Sequence, residues 1–107
     1  MIRVLVVDDQ QLLRQGLCSL LALSDKVEVV GQANDGAEAR DWLQANADGV
    51  DVMLLDIRMP RMTGIELLNS LKQDGALLPT IMLTTFDDHE SLMGALSAGA
   101  KGYLLKD

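Results

Sequence analysis

Five short aliphatic runs recur along this chain, and they constrain its fold more than any other feature. They are Ile2–Val7, Val27–Val30, Val52–Leu55, Thr80–Leu83 and Tyr103–Leu105. Each is built mainly from Val, Ile, Leu or Met, and none alternates apolar with polar residues. That is the pattern of strands covered on both faces, as in a parallel sheet. Between the runs lie apolar stripes at helical spacing: Leu13, Leu17, Leu20 and Leu21; Ala39, Trp42 and Leu43; Ile65, Leu68 and Leu71; Leu92, Ala95 and Leu96. Gly31, Gly49, Gly75 and Gly99 read as punctuation near the ends of these segments. Strand and helix therefore alternate, which implies right-handed crossovers and an open α/β sheet with helices on both faces. In such sheets the functional crevice lies beyond the carboxyl ends of the strands.

At 107 residues the chain reads as a single domain, 1–107, with no internal repeat or linker. Its net charge of −7 argues against direct binding to nucleic acid or an anionic membrane, both of which want a basic patch. The lone cysteine, Cys18, cannot form an internal disulfide, and a reducing cytoplasm suits it. Within its leucine-rich surroundings it reads as a small buried apolar residue. Neither a signal peptide nor a transmembrane segment is evident.

The polar groups expected at the carboxyl ends carry the chemistry. The first strand delivers Asp8 and Asp9, the third Asp56, the fourth Thr84 and Thr85, and the fifth Lys106. Three carboxylates brought together stay ionised only beside a cation. An all-oxygen donor set suits a hard ion, with Mg²⁺ favoured because it accepts a few carboxylates plus water and phosphate oxygens. Lys106 offers a compact positive charge and Thr84 a hydroxyl, both suited to phosphoryl oxygens. A carboxylate so surrounded is equipped to attack phosphorus and become an aspartyl phosphate.

The stretches VLVVDDQQLLRQGL, DVMLLDIRMPRMTGIELL, IMLTTFDD and AGAKGYLLKD together resemble the receiver domain of two-component response regulators, in its NarL/LuxR-type subgroup. The resemblance spans the chain and implies a flavodoxin-like, doubly wound parallel sheet in strand order 2-1-3-4-5. It implies that Asp56 takes a phosphoryl group from a sensor histidine kinase. Asp8 and Asp9 would serve a Mg²⁺ ion, with Asp9, Asp56 and the main-chain carbonyl of Arg58 as direct ligands. Thr84 and Lys106 would bind the phosphoryl group, and Tyr103 would follow Thr84 inward as a switch residue. Arg58 and Phe86, two residues beyond Asp56 and Thr84, would partly shield the phosphate. The resemblance also implies a fifth helix and a helix-turn-helix DNA-binding domain, neither of which follows Asp107 in this chain. The aliphatic surface left uncovered points to a homodimer or marginal stability. The chain would act as a signalling switch, not a turnover enzyme beyond its own phosphorylation and dephosphorylation.

Other readings compete at single residues. His89 in DDHES reads as a solvated first-turn residue of the fourth helix, with Asp87 and Asp88 as helix-start acids. Thr63 stands where the family often has Asp or Asn, and still suits a turn. Met59–Pro60 and Gly64 would shape the loop after the acceptor, the methionines read as core filler apart from Met59 and Met62 in that loop, and Trp42 reads as packing. A flavin carrier on the same fold fails because DDQQ would repel an anion. An aspartyl phosphatase wants an acid where Arg58 stands. The remaining alternative is a pseudo-receiver that acts only as an interaction and dimerisation module.

Overall fold

The alternating runs become a five-stranded, wholly parallel sheet in a computed structural model that describes residues 1–85 and 88–106. The elements are β1 (Ile2–Val7), α1 (Gln11–Leu21), β2 (Val27–Ala33), α2 (Gly36–Ala45), β3 (Val52–Asp56), α3 (Gly64–Gln73), β4 (Thr80–Thr84), α4 (His89–Ser97) and β5 (Gly102–Leu105). The strand order is β2-β1-β3-β4-β5, so every strand ends at the same edge of the sheet. Phe86 and Asp87, given shielding and helix-start roles above, lie outside the described residues.

One face of the sheet holds most of the core. Leu5, Val7, Met53, Leu55 and Met82 meet Leu43, Leu67, Leu68, Leu71 and Leu92 from α2, α3 and α4. On the other face Val4, Val6, Leu54 and Leu83 pack against Leu17, Cys18 and Leu21 of α1. Full burial of one such aliphatic side chain contributes about 1.5–3 kcal/mol, so the first face carries most of the hydrophobic stabilisation.

Several expectations need correction. Gly31 does not end β2 but lies inside it, opposite Leu5, where the register with β1 slips. A Cβ there would stand 2.5 Å from the Trp42 ring, so the glycine makes room for the indole against the strand. Leu20 is not part of the buried stripe of α1: it is 66% exposed, and the one buried residue of that helix is Arg14. Cys18 is only half-buried, although burial is enough to push its thiol pKa up. Nor is β5 covered on both faces. Tyr103, Leu104 and Leu105 are each about half exposed on an edge strand that pairs only with β4. Gly75 and Gly99 do act as stops, with φ of 67° and 119° just beyond α3 and α4. Among the described residues no helix is long and apolar enough to cross a membrane.

Candidate functional site

The sheet brings Asp8, Asp9, Asp56, Thr84 and Lys106 to the shared carboxyl edge, as the order of the strands requires. Asp8, Asp9 and Asp56 each place a carboxylate oxygen within 4.8 Å of the others. Lys106 Nζ lies 3.3 Å from Asp8 Oδ2 and 3.3 Å from Asp56 Oδ2. Its backbone N–H donates to the Thr84 carbonyl at 2.8 Å, which fixes the end of β5 beside β4. Asp9, Asp56, Arg58, Thr84, Thr85, Asp88 and Lys106 line a cavity of about 230 Å³.

Asp8 and Asp56 are buried, whereas Asp9 is exposed. Asp8 Oδ1 accepts the Gln10 N–H at 2.8 Å, but its Oδ2 is buried without a hydrogen bond. Burial, reinforced by the charge of Asp8, pushes the Asp56 carboxyl up to about 6, and Lys106 opposes that rise. A hard divalent cation would relieve both features: it would give the buried Asp8 oxygen, now faced only by the Lys106 charge, a stronger partner and hold Asp56 ionised. The all-oxygen donor set fits such an ion.

The loop from Ile57 to Thr63 follows Asp56 directly and is tied down on two sides. At its end Gly64 donates its N–H to the Ile57 carbonyl at 2.8 Å, and a Cβ there would collide with the Asp56 carbonyl oxygen. Thr63 caps α3 in a reciprocal pair with Glu66, so the threonine does suit its turn. Arg58 reaches the other way, donating Nε and Nη2 to the two carboxylate oxygens of Asp88 at 2.8 and 2.9 Å. Those bonds hold the Asp88 carboxyl below its ordinary value, with a smaller part from Ser91. Asp88 is the residue preceding α4, yet its side chain makes no capping bond to that helix. The helix-start reading of Asp88 is therefore right in position and wrong in partner.

Tyr103 does not line the acid cavity. It borders a neighbouring one of about 260 Å³, with Thr84, Thr85, His89 and Leu92. The Thr84 hydroxyl donates to the Thr85 carbonyl at 3.3 Å. His89 opens α4 and is exposed. Met59 is buried and Met62 partly so, both packed into the core cluster, as is Trp42.

Three supporting residues escaped the sequence reading. Arg14 is buried, and its Nη1 donates to the Asp8 carbonyl at 2.5 Å and to Asn34 Oδ1 at 2.7 Å, while Nε reaches Gln32 Oε1 at 3.1 Å. The signal was an arginine set within the Leu13–Leu17 stripe. Asp35 caps α2 through the Glu38 N–H at 2.9 Å and also accepts from Arg61 Nε at 2.8 Å. An acid three residues before Glu38 at a helix start marked it. Arg61 adopts φ of 65°, for which the sequence holds no signal.

Known proteins place the chain. Residues 4–107 match the response regulator receiver domain. The chain is 45% identical over 105 residues to the nitrate/nitrite response regulator protein NarP of Escherichia coli, covering 98% of this chain and 48% of that protein. It is 43% identical over 107 residues to the transcriptional regulatory protein DesR of Bacillus subtilis, covering 100% of this chain and 52% of DesR. It therefore spans about half the length of the curated relatives it matches. Among solved structures, the signal receiver domain of NarL from Mycobacterium tuberculosis superposes with a TM-score of 0.89 at 39% identity, covering 99% of this chain and 84% of that one. The response regulator ChrA of a heme-sensing two-component system gives 0.81 at 42% identity, covering 99% and 49%. With that strand order, that acid edge and these relatives, the chain belongs to the response regulator receiver domains of two-component signalling, in the NarL/LuxR subgroup.

Proposed function

We propose that this chain is a phosphorylation switch whose acceptor is Asp56. The observation that carries the reading is the shared position of Lys106 Nζ, 3.3 Å from both Asp8 and Asp56, at the mouth of a three-carboxylate cluster. Asp8, Asp9 and Asp56, with the main-chain carbonyl of Arg58, would hold Mg²⁺. Bound there, the ion supplies charge neutralisation for the phosphoryl oxygens. In the transfer itself, an Asp56 carboxylate oxygen bonds to phosphorus as the bond from phosphorus to the donor nitrogen of a kinase phosphohistidine breaks. The imidazole leaves with the electron pair and takes up a proton. Lys106 then pairs with a phosphoryl oxygen, and the Thr84 hydroxyl, whose present acceptor is a single 3.3 Å carbonyl contact, donates to another. Thr84 leaving its place frees the space beside it for Tyr103, whose ring borders the same cavity.

The new contacts exist only in the phosphorylated state, which is what biases the equilibrium between two conformations. In a full-length regulator, as in relatives about twice as long, the switch would control a DNA-binding module C-terminal to this domain. The exposed strip Tyr103, Leu104 and Leu105 supports homodimerisation through the β5 edge, which light scattering against concentration would test. Acetyl phosphate with Mg²⁺, followed by intact mass, tests the acceptor. One added phosphoryl group is expected, lost in Asp56→Ala and on adding EDTA. A folded chain that gains none overturns the assignment in favour of an interaction module.

A further inference from the structure

Arg58 and Asp88 face each other across the mouth of the acceptor cavity, and both help to line it. The arginine side chain is 76% exposed and the aspartate 8%, so the guanidinium is the solvent-facing member and the carboxylate the buried one. Asp88 stands where a helix wants a capping side chain, but both its oxygens are turned to Arg58, with Ser91 as a lesser partner, and its side chain does not cap α4. The helix thus forgoes one stabilising bond in order to hold a cation over the site.

We propose that the Arg58 guanidinium is a further phosphoryl-binding group, held in reserve by Asp88 and exchanged onto the phosphoryl oxygens once Asp56 is modified. This rests on Asp56 being the acceptor. A guanidinium fork matches phosphoryl oxygens at least as well as a carboxylate, and the phosphoryl group carries the greater negative charge. Arg58 follows Asp56, the last residue of β3, by two residues and lines the same cavity, so the exchange needs side-chain rotation and not movement of the chain. Asp88, once released, is free to accept the N–H groups of the first turn of α4, as Asp35 already does for α2. Its loss of an ionic partner is thereby offset by a gained cap. Phosphorylation would in this way reset the start of α4 by a route separate from Thr84 and Tyr103.

Linkage makes the idea testable at equilibrium: whatever holds Arg58 away from the site weakens the binding of a phosphoryl group, and removing the hold strengthens it. Beryllofluoride, which binds an aspartate carboxylate as a tetrahedral phosphoryl analogue, can be titrated with Mg²⁺ present and followed by ¹⁹F NMR. Asp88→Asn is expected to bind it more tightly, by up to about fivefold, the range of a partly exposed ion pair. Arg58→Gln is expected to bind it more weakly. The double variant is expected to match Arg58→Gln alone, because Asp88 acts only through the guanidinium. An Asp88→Asn gain that persists in the Arg58→Gln background, or no gain at all in a variant with native circular dichroism, overturns the exchange while leaving the acceptor intact. A wild-type chain that takes neither beryllofluoride nor a phosphoryl group from acetyl phosphate overturns the acceptor, and the exchange with it.

Discussion

Two aspartates, Asp35 and Asp88, stand at the starts of α2 and α4, and each receives an arginine from the same loop after β3. Their arrangements differ in a telling way. Asp35 caps its helix with one oxygen and takes Arg61 with the other, and beside it Gly36 N–H donates to the Met62 carbonyl at 3.2 Å. Backbone meets backbone there, and the loop is fixed to α2. Asp88 gives both oxygens to Arg58 and does not cap its helix, and the hydrogen bonds from Arg58 to Asp88 and Ser91 at this end of the loop are made by side chains. A loop anchored rigidly on one side and held by an exchangeable pair on the other can transmit a change toward α4 while α2 stays in place.

The largest effect should come from attacking the backbone contact on the α2 side. A Cβ at Gly36 would fall 2.7 Å from the Met62 carbonyl oxygen, so Gly36→Ala should cost about 2–4 kcal/mol in urea unfolding. A Cβ at Gly94 in α4 would meet Ile65 Cδ1 at 3.3 Å, a side-chain end that can give way. Gly94→Ala should therefore stay within about 1 kcal/mol of wild type, and equal costs at the two glycines would erase the contrast.

Next in size, Asp35→Ala should lose about 1–2 kcal/mol because it removes a helix cap as well as an ion pair. Asp88→Ala removes a pair with a well-exposed partner and no cap, and should lose less than about 1 kcal/mol. The same chemical denaturation series measures both, and a reversed order would break the comparison.

Acid titration isolates the charges. Burial alone would raise the Asp35 carboxyl, but the Glu38 N–H and Arg61 outweigh it and the net shift is downward; the Asp88 carboxyl is lowered chiefly by Arg58. A carboxyl lowered in the folded state contributes stability above its unfolded value, and that contribution disappears as pH falls through the folded value. Asparagine also caps helices, so Asp35→Asn and Asp88→Asn read the charge pairs without the cap. The gap between wild type and each variant should narrow as pH drops from about 5 to about 3, measured by thermal unfolding across that range. A widening gap would contradict the sign.

The smallest expected effect concerns Arg61, which holds a left-handed backbone at φ 65°. In an Asp35→Ala background its ion pair is already gone, so Arg61→Gly should stabilise by a few tenths to about 1 kcal/mol through relief of that conformation. A loss instead would show that the arginine serves the loop through some other contact.

Much of this molecule could be read in advance, and the reason is periodicity. Unbroken runs such as Val4–Val7 and Met53–Leu55 announce buried parallel strands, and once strands are parallel their ends must share an edge. Topology alone therefore brings Asp8, Asp56, Thr84 and Lys106 to one place. Gly31 misled because a glycine that admits the Trp42 ring looks the same in sequence as one that ends a strand. Arg14 was overlooked because a buried cation needs acceptors from β1 and β2, and neither Asn34 nor Gln32 signals that it will turn toward α1. The two arginines of the loop were invisible as anchors for a similar reason: Arg58 and Asp88 are 30 residues apart, and only the folded chain makes them neighbours.

The cation that closes the acid cluster sits just past β5, the most weakly covered strand of the sheet. Detaching that outer ribbon from β4 would carry Lys106 away from Asp8 and Asp56 while the packed interior stayed whole. On the proposed function, competence to receive a phosphoryl group should thus fade at milder heat or denaturant than global melting requires, making this edge strand a fuse for the chemistry.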